Sequence, residues 1–272
     1  MAGQGQPVMK IALIQLASPI EEPVVERVGR VGAMLDTLDD VDLVVLPELW
    51  APGYFAFDRY DELAETLDGP LLSEISGWAR RLGCHVQAGS ILEREAAGRL
   101  YNTALLVGPD GGVLLDYRKM HVFGYESLEA TLLSAGDRAD VCATALGRIG
   151  MTTCYDLRFP ELYRVLVDRG AQLVIVPAAW PAARLAHWQL FTRARAVENQ
   201  VYVLACNAAG IQGDVVLGGH SVIVDPWGQV VAEAGADEQI LYAVVDLQAV
   251  VDTRAEFPVL EDRKLAVPFA FD

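Results

Sequence analysis

Residues 147–180, GRIGMTTCYDLRFPELYRVLVDRGAQLVIVPAAW, read as strand, helix and strand. GRIGMTTC is a short strand, FPELYRVLVDRG carries a helical spacing of apolar residues, and QLVIVPAAW is an apolar run of strand length. Downstream the pattern continues with HWQLFTRARAVENQ (187–200) as helix and VYVLACNAAG (201–210) as strand. GGHSVIVDPWGQVVAEAG (218–235) reads as a hairpin around DPWG, followed by the strand ILYAVVDL (240–247) and a short helix.

Upstream, KIALIQL (10–16) reads as a buried strand, EPVVERVGRVGAMLDTL (22–38) as a helix and DLVVLPE (42–48) as a strand ending at a proline. A helix over PLLSEISGWARRLG (70–83) leads into the strand HVQAGSILE (85–93). YNTALLVG and VLLDYRK (101–108 and 113–119) form a hairpin whose turn, PDGG, supplies the positive backbone angles of a tight reversal. Strands that alternate with helices predict an α/β protein with crossover packing, and the hairpins make its sheets mixed. Two central sheets under outer helices fit this order, as does one doubly wound sheet. Periodicity does not choose between them.

No composition break or low-complexity segment divides the chain, so residues 1–272 are expected to form one domain. Residues 1–9 are expected to be loose, and about 255–272 to form a C-terminal tail. A formal charge of −16 argues against nucleic acid or an anionic membrane as partner. No apolar run has the length of a membrane span, and the N-terminus lacks the layout of a signal peptide, so the expected setting is cytoplasmic. The cysteines Cys84, Cys142, Cys154 and Cys206 contain no C-x-x-C pair, and three of them sit in apolar stretches as small core residues. The histidines His85, His121, His187 and His220 have no metal-binding spacing, so no metal or cofactor is called for.

Three residues stand where strands end: Glu48 after DLVVLP, Lys119 after VLLDYR and Cys154 after GRIGMTT. Taken singly, each has a structural explanation as a turn cap, an exposed lysine or a core thiol. Taken together they suit covalent catalysis. A thiol needs a base, which a buried glutamate can provide, and a lysine can hold a developing oxyanion. Cys154 also precedes a helix-forming stretch, whose dipole is expected to favour thiolate, and the free N–H groups of Tyr155 and Asp156 are candidate oxyanion donors. Asp156 and Glu161 otherwise read as capping and internal-pairing residues.

PELW-x-PGY (47–54), DYRK-x-H-x-F (116–123) and TTCYDLRFPEL (152–162) resemble, in order, the three signature regions of the nitrilase superfamily of carbon–nitrogen hydrolases. The likeness extends through AHWQLFTRARAVENQVYVLACN, GGHSVIVDPWGQVVAEAG and EFPVLEDRK, nearly the whole chain. It implies a four-layer α-β-β-α sandwich with two mixed central sheets. It also implies Cys154 as nucleophile, Glu48 as general base and Lys119 as oxyanion-stabilising residue. The family's second glutamate, counted back from the Ala135-Gly136 pair, falls on Glu129, with Glu126 as the rival.

Implied with it is hydrolysis of a small-molecule amide without cofactor, through a thioester, in a homo-oligomer whose interface is built from the helices of 159–170 and 187–200, with the C-terminal tail as a further contributor. A small aliphatic amide ranks first as substrate, an omega-amide of a 2-oxo acid second, and nitriles or N-carbamoyl compounds after them. Tyr54, Tyr155 and Trp180 are candidate pocket walls. Arg184 is a candidate for binding a substrate carboxylate, and Arg158 reads as structural. Two readings stand against this one: an inert scaffold of the same fold, and a cysteine hydrolase assisted by His121 or His187.

Overall fold

The alternation of side chains along the first strand sorts the protein into layers. In β1 (Val8–Gln15), Ile11 and Leu13 point into one apolar cluster while Ala12 and Ile14 point into another. In β2 (Leu43–Val45), Leu43 and Val45 join the first cluster and Val44 the second. A strand with two buried faces lies between two layers. The computed structural model, which describes residues 6–266, shows what those layers are.

Between β1 and β2 lies α1 (Val24–Leu35). α2 (Tyr60–Leu63) and α3 (Pro70–Leu82) follow, and then β3 (His85–Arg94), β4 (Leu100–Val107) and β5 (Val113–Arg118). After α4 (Glu129–Leu132) come β6 (Val141–Thr144), β7 (Gly147–Met151), α5 (Pro160–Asp168), β8 (Leu173–Ala178), α6 (Leu185–Asn199) and β9 (Tyr202–Asn207). A small hairpin, β10 (Ile211–Gln212) and β11 (Val215–Val216), precedes β12 (Val222–Val224), β13 (Val230–Glu233), β14 (Gln239–Asp246) and α7 (Gln248–Glu256).

Two six-stranded mixed sheets result, ordered β14-β1-β2-β3-β4-β5 and β13-β12-β9-β8-β7-β6. Val31 and Leu35 of α1, with Ile75 and Trp78 of α3, cover the outside of the first sheet. Leu162 and Leu166 of α5, with Trp188 and Ala196 of α6, cover the second. The expected α-β-β-α sandwich is thus present, and the single doubly wound sheet is set aside. β1, β2 and β3 run parallel, as do β7, β8 and β9, so loops from both sheets gather where these strands end.

Three expectations change. The strand starts at Val8, and Met9 is fully buried, so the looseness expected of 1–9 does not extend to these two residues; residues 1–5 lie outside the described part, as do 267–272 of the tail. The loop expected before GRIGMTTC contains β6, an edge strand paired with β7. Cys142 lies on that edge and is only half-buried, whereas Cys84 and Cys206 are core residues. At the PDGG turn only Gly111 takes a positive φ, +82°.

Candidate active site

Lys119 follows the last residue of β5 and is buried, and its Nζ sits between two carboxylates. Glu48 Oε1 lies 2.8 Å away, and Glu129 Oε1 and Oε2 lie at 2.8 and 2.9 Å. Desolvating such charges costs several kcal/mol each, to order of magnitude, unless every polar atom is matched. Here the matching is dense. Asn102 Nδ2 donates to Glu48 at 2.7 Å and to Glu129 at 3.2 Å, and the Ala179 N–H donates to Glu48 Oε2 at 2.9 Å. The Tyr54 hydroxyl and the Phe123 N–H donate to Glu129 Oε2 at 3.0 and 2.7 Å.

The backbone around these residues is tightly specified. Gly89 holds φ +68° where β3 passes under the Glu48 loop, and a Cβ there would run into the Pro47 carbonyl. Next to it, Ser90 Oγ accepts the Leu49 N–H at 3.0 Å. Gly136 donates its N–H to the Lys119 carbonyl at 2.9 Å, and a Cβ there would meet the Arg118 carbonyl. This is the physical use of the Ala135-Gly136 pair, which brings the chain carrying Glu129 back against Lys119.

Cys154 heads a five-residue 3₁₀ turn (Cys154–Arg158) rather than a long helix, with φ +48° and only 8% exposure. Its thiol is hydrogen-bonded to the Glu48 carboxylate. Burial, and next the nearby charge of Glu48, push the thiol well above the usual cysteine value. The expected thiolate is therefore corrected to a neutral thiol, because the short turn's dipole does not outweigh desolvation and a neighbouring carboxylate. Burial also raises Glu48; Lys119 opposes the shift and Glu129 adds to it. Burial alone would lower Lys119, yet Glu129 and Glu48 outweigh it and hold the ammonium well above the ordinary lysine value.

The Asp156 N–H is bonded to Thr153 O at 3.0 Å and so is not free for an oxyanion, unlike the reading from sequence. Its side chain completes a capping box with Thr153, as expected. Glu161 is exposed rather than internally paired. Glu129 is fully buried against Lys119, whereas Glu126 is exposed on a loop at φ +48°. His121 is bonded to Asp156 and His187 to Arg158, so the thiol's acid–base neighbour is Glu48.

A narrow cleft of about 30 Å³ opens over Cys154. Tyr54, Tyr155, Trp180 and Arg184 all line it. Arg158 lines it too, so it does more than support the fold. Among the described residues neither guanidinium pairs with a carboxylate. Arg158 contacts His187 and lies 4.8 Å from the Trp180 ring, and Arg184 lies 5.4 Å from the Phe123 ring. Burial lowers Arg158, with Arg184 as a like-charged neighbour. Past Phe55, Phe123 and Arg184 lies an outer chamber of about 530 Å³, rimmed by Tyr125, Glu126 and Asp214. Sequence reasoning missed Asn102; its only signal was a buried amide in an otherwise apolar strand, YNTALLV.

The carbon-nitrogen hydrolase family model matches residues 10–255. A 2-oxoglutaramate amidase of Paenarthrobacter nicotinovorans is 38% identical over 265 residues, covering 94% of this chain and 90% of the relative. Omega-amidase NIT2 of Mus musculus is 38% identical over 231 residues, covering 82% and 83%. The crystal structure of Saccharomyces cerevisiae Nit3, a member of branch 10 of the nitrilase superfamily, superposes with a TM-score of 0.88 at 31% identity over 97% of this chain and 100% of that one.

Proposed function

Because this chain belongs to the carbon–nitrogen hydrolase family, we propose that it is a cysteine amidase whose preferred substrate is a short aliphatic omega-amide carrying a carboxylate at its other end. The observation that carries the substrate reading is the pair Arg158 and Arg184, two guanidiniums without a carboxylate partner among the described residues, in the same cleft as Cys154. In an acidic protein such a pair suits a carboxylate, which a guanidinium can grip with two hydrogen bonds. The narrowness of the cleft suits a short chain. The 2-oxoglutaramate amidase and omega-amidase relatives support the same class.

The chemistry follows from the contacts. Glu48 takes the Cys154 proton as sulfur attacks the amide carbon, and the oxyanion forms near the Lys119 charge and the Tyr155 N–H. Glu48 passes the proton to the amide nitrogen, the C–N bond breaks, ammonia leaves and a thioester remains. Glu48 then takes a proton from water as its oxygen attacks, and returns it to sulfur as the acid departs. The balance is amide plus water to acid plus ammonia. Glu129 acts on this sequence through Lys119, which it grips with both oxygens.

We read the chain as one domain, consistent with the extent of the family match, in a cytoplasmic setting that suits its free cysteines. No helix among the described residues is long and apolar enough to cross a membrane. We also read it as a homo-oligomer. A groove of about 730 Å³ beside α6 exposes Leu190, Val197, Trp227 and Val230, and Phe257 from the chain's final segment stacks on Trp227.

The test measures ammonia release from short aliphatic amides, omega-amides of 2-oxo acids, nitriles and N-carbamoyl compounds. Turnover should be highest for the carboxylate-bearing amides, vanish in Cys154→Ala, and show a KM raised about tenfold or more in Arg184→Met. Activity that survives in Cys154→Ala refutes the nucleophile. Equal turnover of neutral and carboxylate-bearing amides refutes the role of the arginines, and silence across the panel favours the inert scaffold.

A further inference from the structure

Asp156 is fully buried two residues past Cys154 and lies outside the cleft. Four donors converge on its carboxylate. Oδ2 accepts the Tyr117 hydroxyl at 2.6 Å and the Thr153 N–H at 2.8 Å. Oδ1 accepts the His121 N–H at 3.0 Å and faces His121 Nδ1 at 2.7 Å. Opposite a carboxylate, which only accepts, Nδ1 carries the hydrogen.

The positions of these donors are informative. Tyr117 and His121 stand two residues before and two residues after Lys119, while Thr153 and Asp156 bracket Cys154. Lys119 extends from β5 of one sheet and Cys154 from β7 of the other. One carboxylate therefore fastens together the two segments that carry the ammonium and the thiol. Capping accounts for the contact with Thr153 alone; the other three donors come from a segment distant in sequence.

The partners are themselves held in place. The His121 ring stacks on Phe159 with centroids 3.7 Å apart and planes within 5°. Burial, and next the charge of Asp156, keep the Tyr117 phenol protonated and donating. Cys154 sits at a positive φ that a non-glycine residue keeps only where its surroundings over-determine it, and the Asp156 contacts are part of that constraint.

We propose that Asp156 is a positioning residue for the amidase reaction: it sets where the Cys154 thiol stands relative to the Lys119 ammonium, and hence where an oxyanion formed on one meets the charge of the other. The inference rests on the Cys154 chemistry proposed above. An asparagine in its place offers one acceptor oxygen and turns an NH2 group toward two of the four donors.

The experiment compares wild type, Asp156→Asn, Tyr117→Phe and the double variant by kcat, KM, thermal unfolding and the rate of Cys154 alkylation by iodoacetamide. A misplacement on the order of 1 Å predicts a kcat loss of about 100-fold in Asp156→Asn and about tenfold in Tyr117→Phe, with KM within about threefold. Alkylation should slow in both, and the double variant should be no worse than Asp156→Asn alone, because Tyr117 acts through Asp156. If Asp156→Asn does not fold, Tyr117→Phe decides. A kcat within twofold of wild type in Tyr117→Phe, a loss confined to KM or to unfolding temperature, or additive losses in the double variant would each overturn the proposal. The alkylation rate needs no substrate, so it reports on the Asp156 contacts even if the amidase reading fails.

Discussion

Glu48 must be ionised before it can take the proton of a neutral thiol, and burial holds it above the ordinary glutamate value of 4.5. The sign of the pH dependence follows. As pH rises through the raised Glu48 value the base becomes competent, so kcat/KM climbs, and below that value it is lost. The alkaline side should stay level well beyond the acid limb, since Lys119 is held protonated above its usual 10.5 and the thiol is not required to ionise beforehand. Measuring kcat/KM from about pH 4 to 10 locates the acid limb. A limb at or below 4.5 would remove Glu48 from the role of base. At this scale much of the site was legible in the sequence, because Glu48, Lys119 and Cys154 each follow a strand with little else to explain them. The thiol's protonation state was not, since it depends on a carboxylate more than 100 positions away.

At the scale of elements, the close return of the chain after α4 against β5 is what brings Glu129 to Lys119. Gly136 makes that return possible, since a side chain there would meet the Arg118 carbonyl. Gly136→Ala should therefore destabilise the protein by about 1–3 kcal/mol, and lower activity as the Lys119 backbone is pushed aside. Gly77→Ala is the control. Gly77 lies within α3 with open space around its missing Cβ, and alanine there should be neutral or stabilise by about 0.5–1 kcal/mol. Denaturant midpoints of the two variants check the contrast, and equal shifts would discard the crowding argument. The same scale shows why some elements were hidden. β6 is a short edge strand with half-buried residues, so it lacks the apolar run that marks β8 or β9. β9 is buried on both faces, so alternation along it could not tell one doubly wound sheet from two sheets packed face to face. Asn102 looked like any strand residue until β4 was set beside the loops bearing the two glutamates.

For the whole molecule, the two sheets bring their parallel strand ends together at one site and leave a different face uncovered. Leu190 and Val197 stand 62% and 45% exposed on α6, next to Trp227 and Val230 of the β12–β13 hairpin, where Phe257 adds its ring. A monomer that left this strip in water would forgo roughly 25 cal/mol for each Å² of apolar surface it could bury. A chain of charge −16 also repels its own copies, so the association must rest on apolar contact and should strengthen with salt, which screens the repulsion. The native protein should therefore run by light scattering at no less than twice its 29.5 kDa chain mass. Leu190→Glu combined with Val197→Glu should return it to single chains, because two carboxylates per copy would have to be desolvated in the interface. A native protein that is monomeric at both low and high salt would assign this strip some other role. So would a double variant that stays assembled, because the contact would then lie on another face.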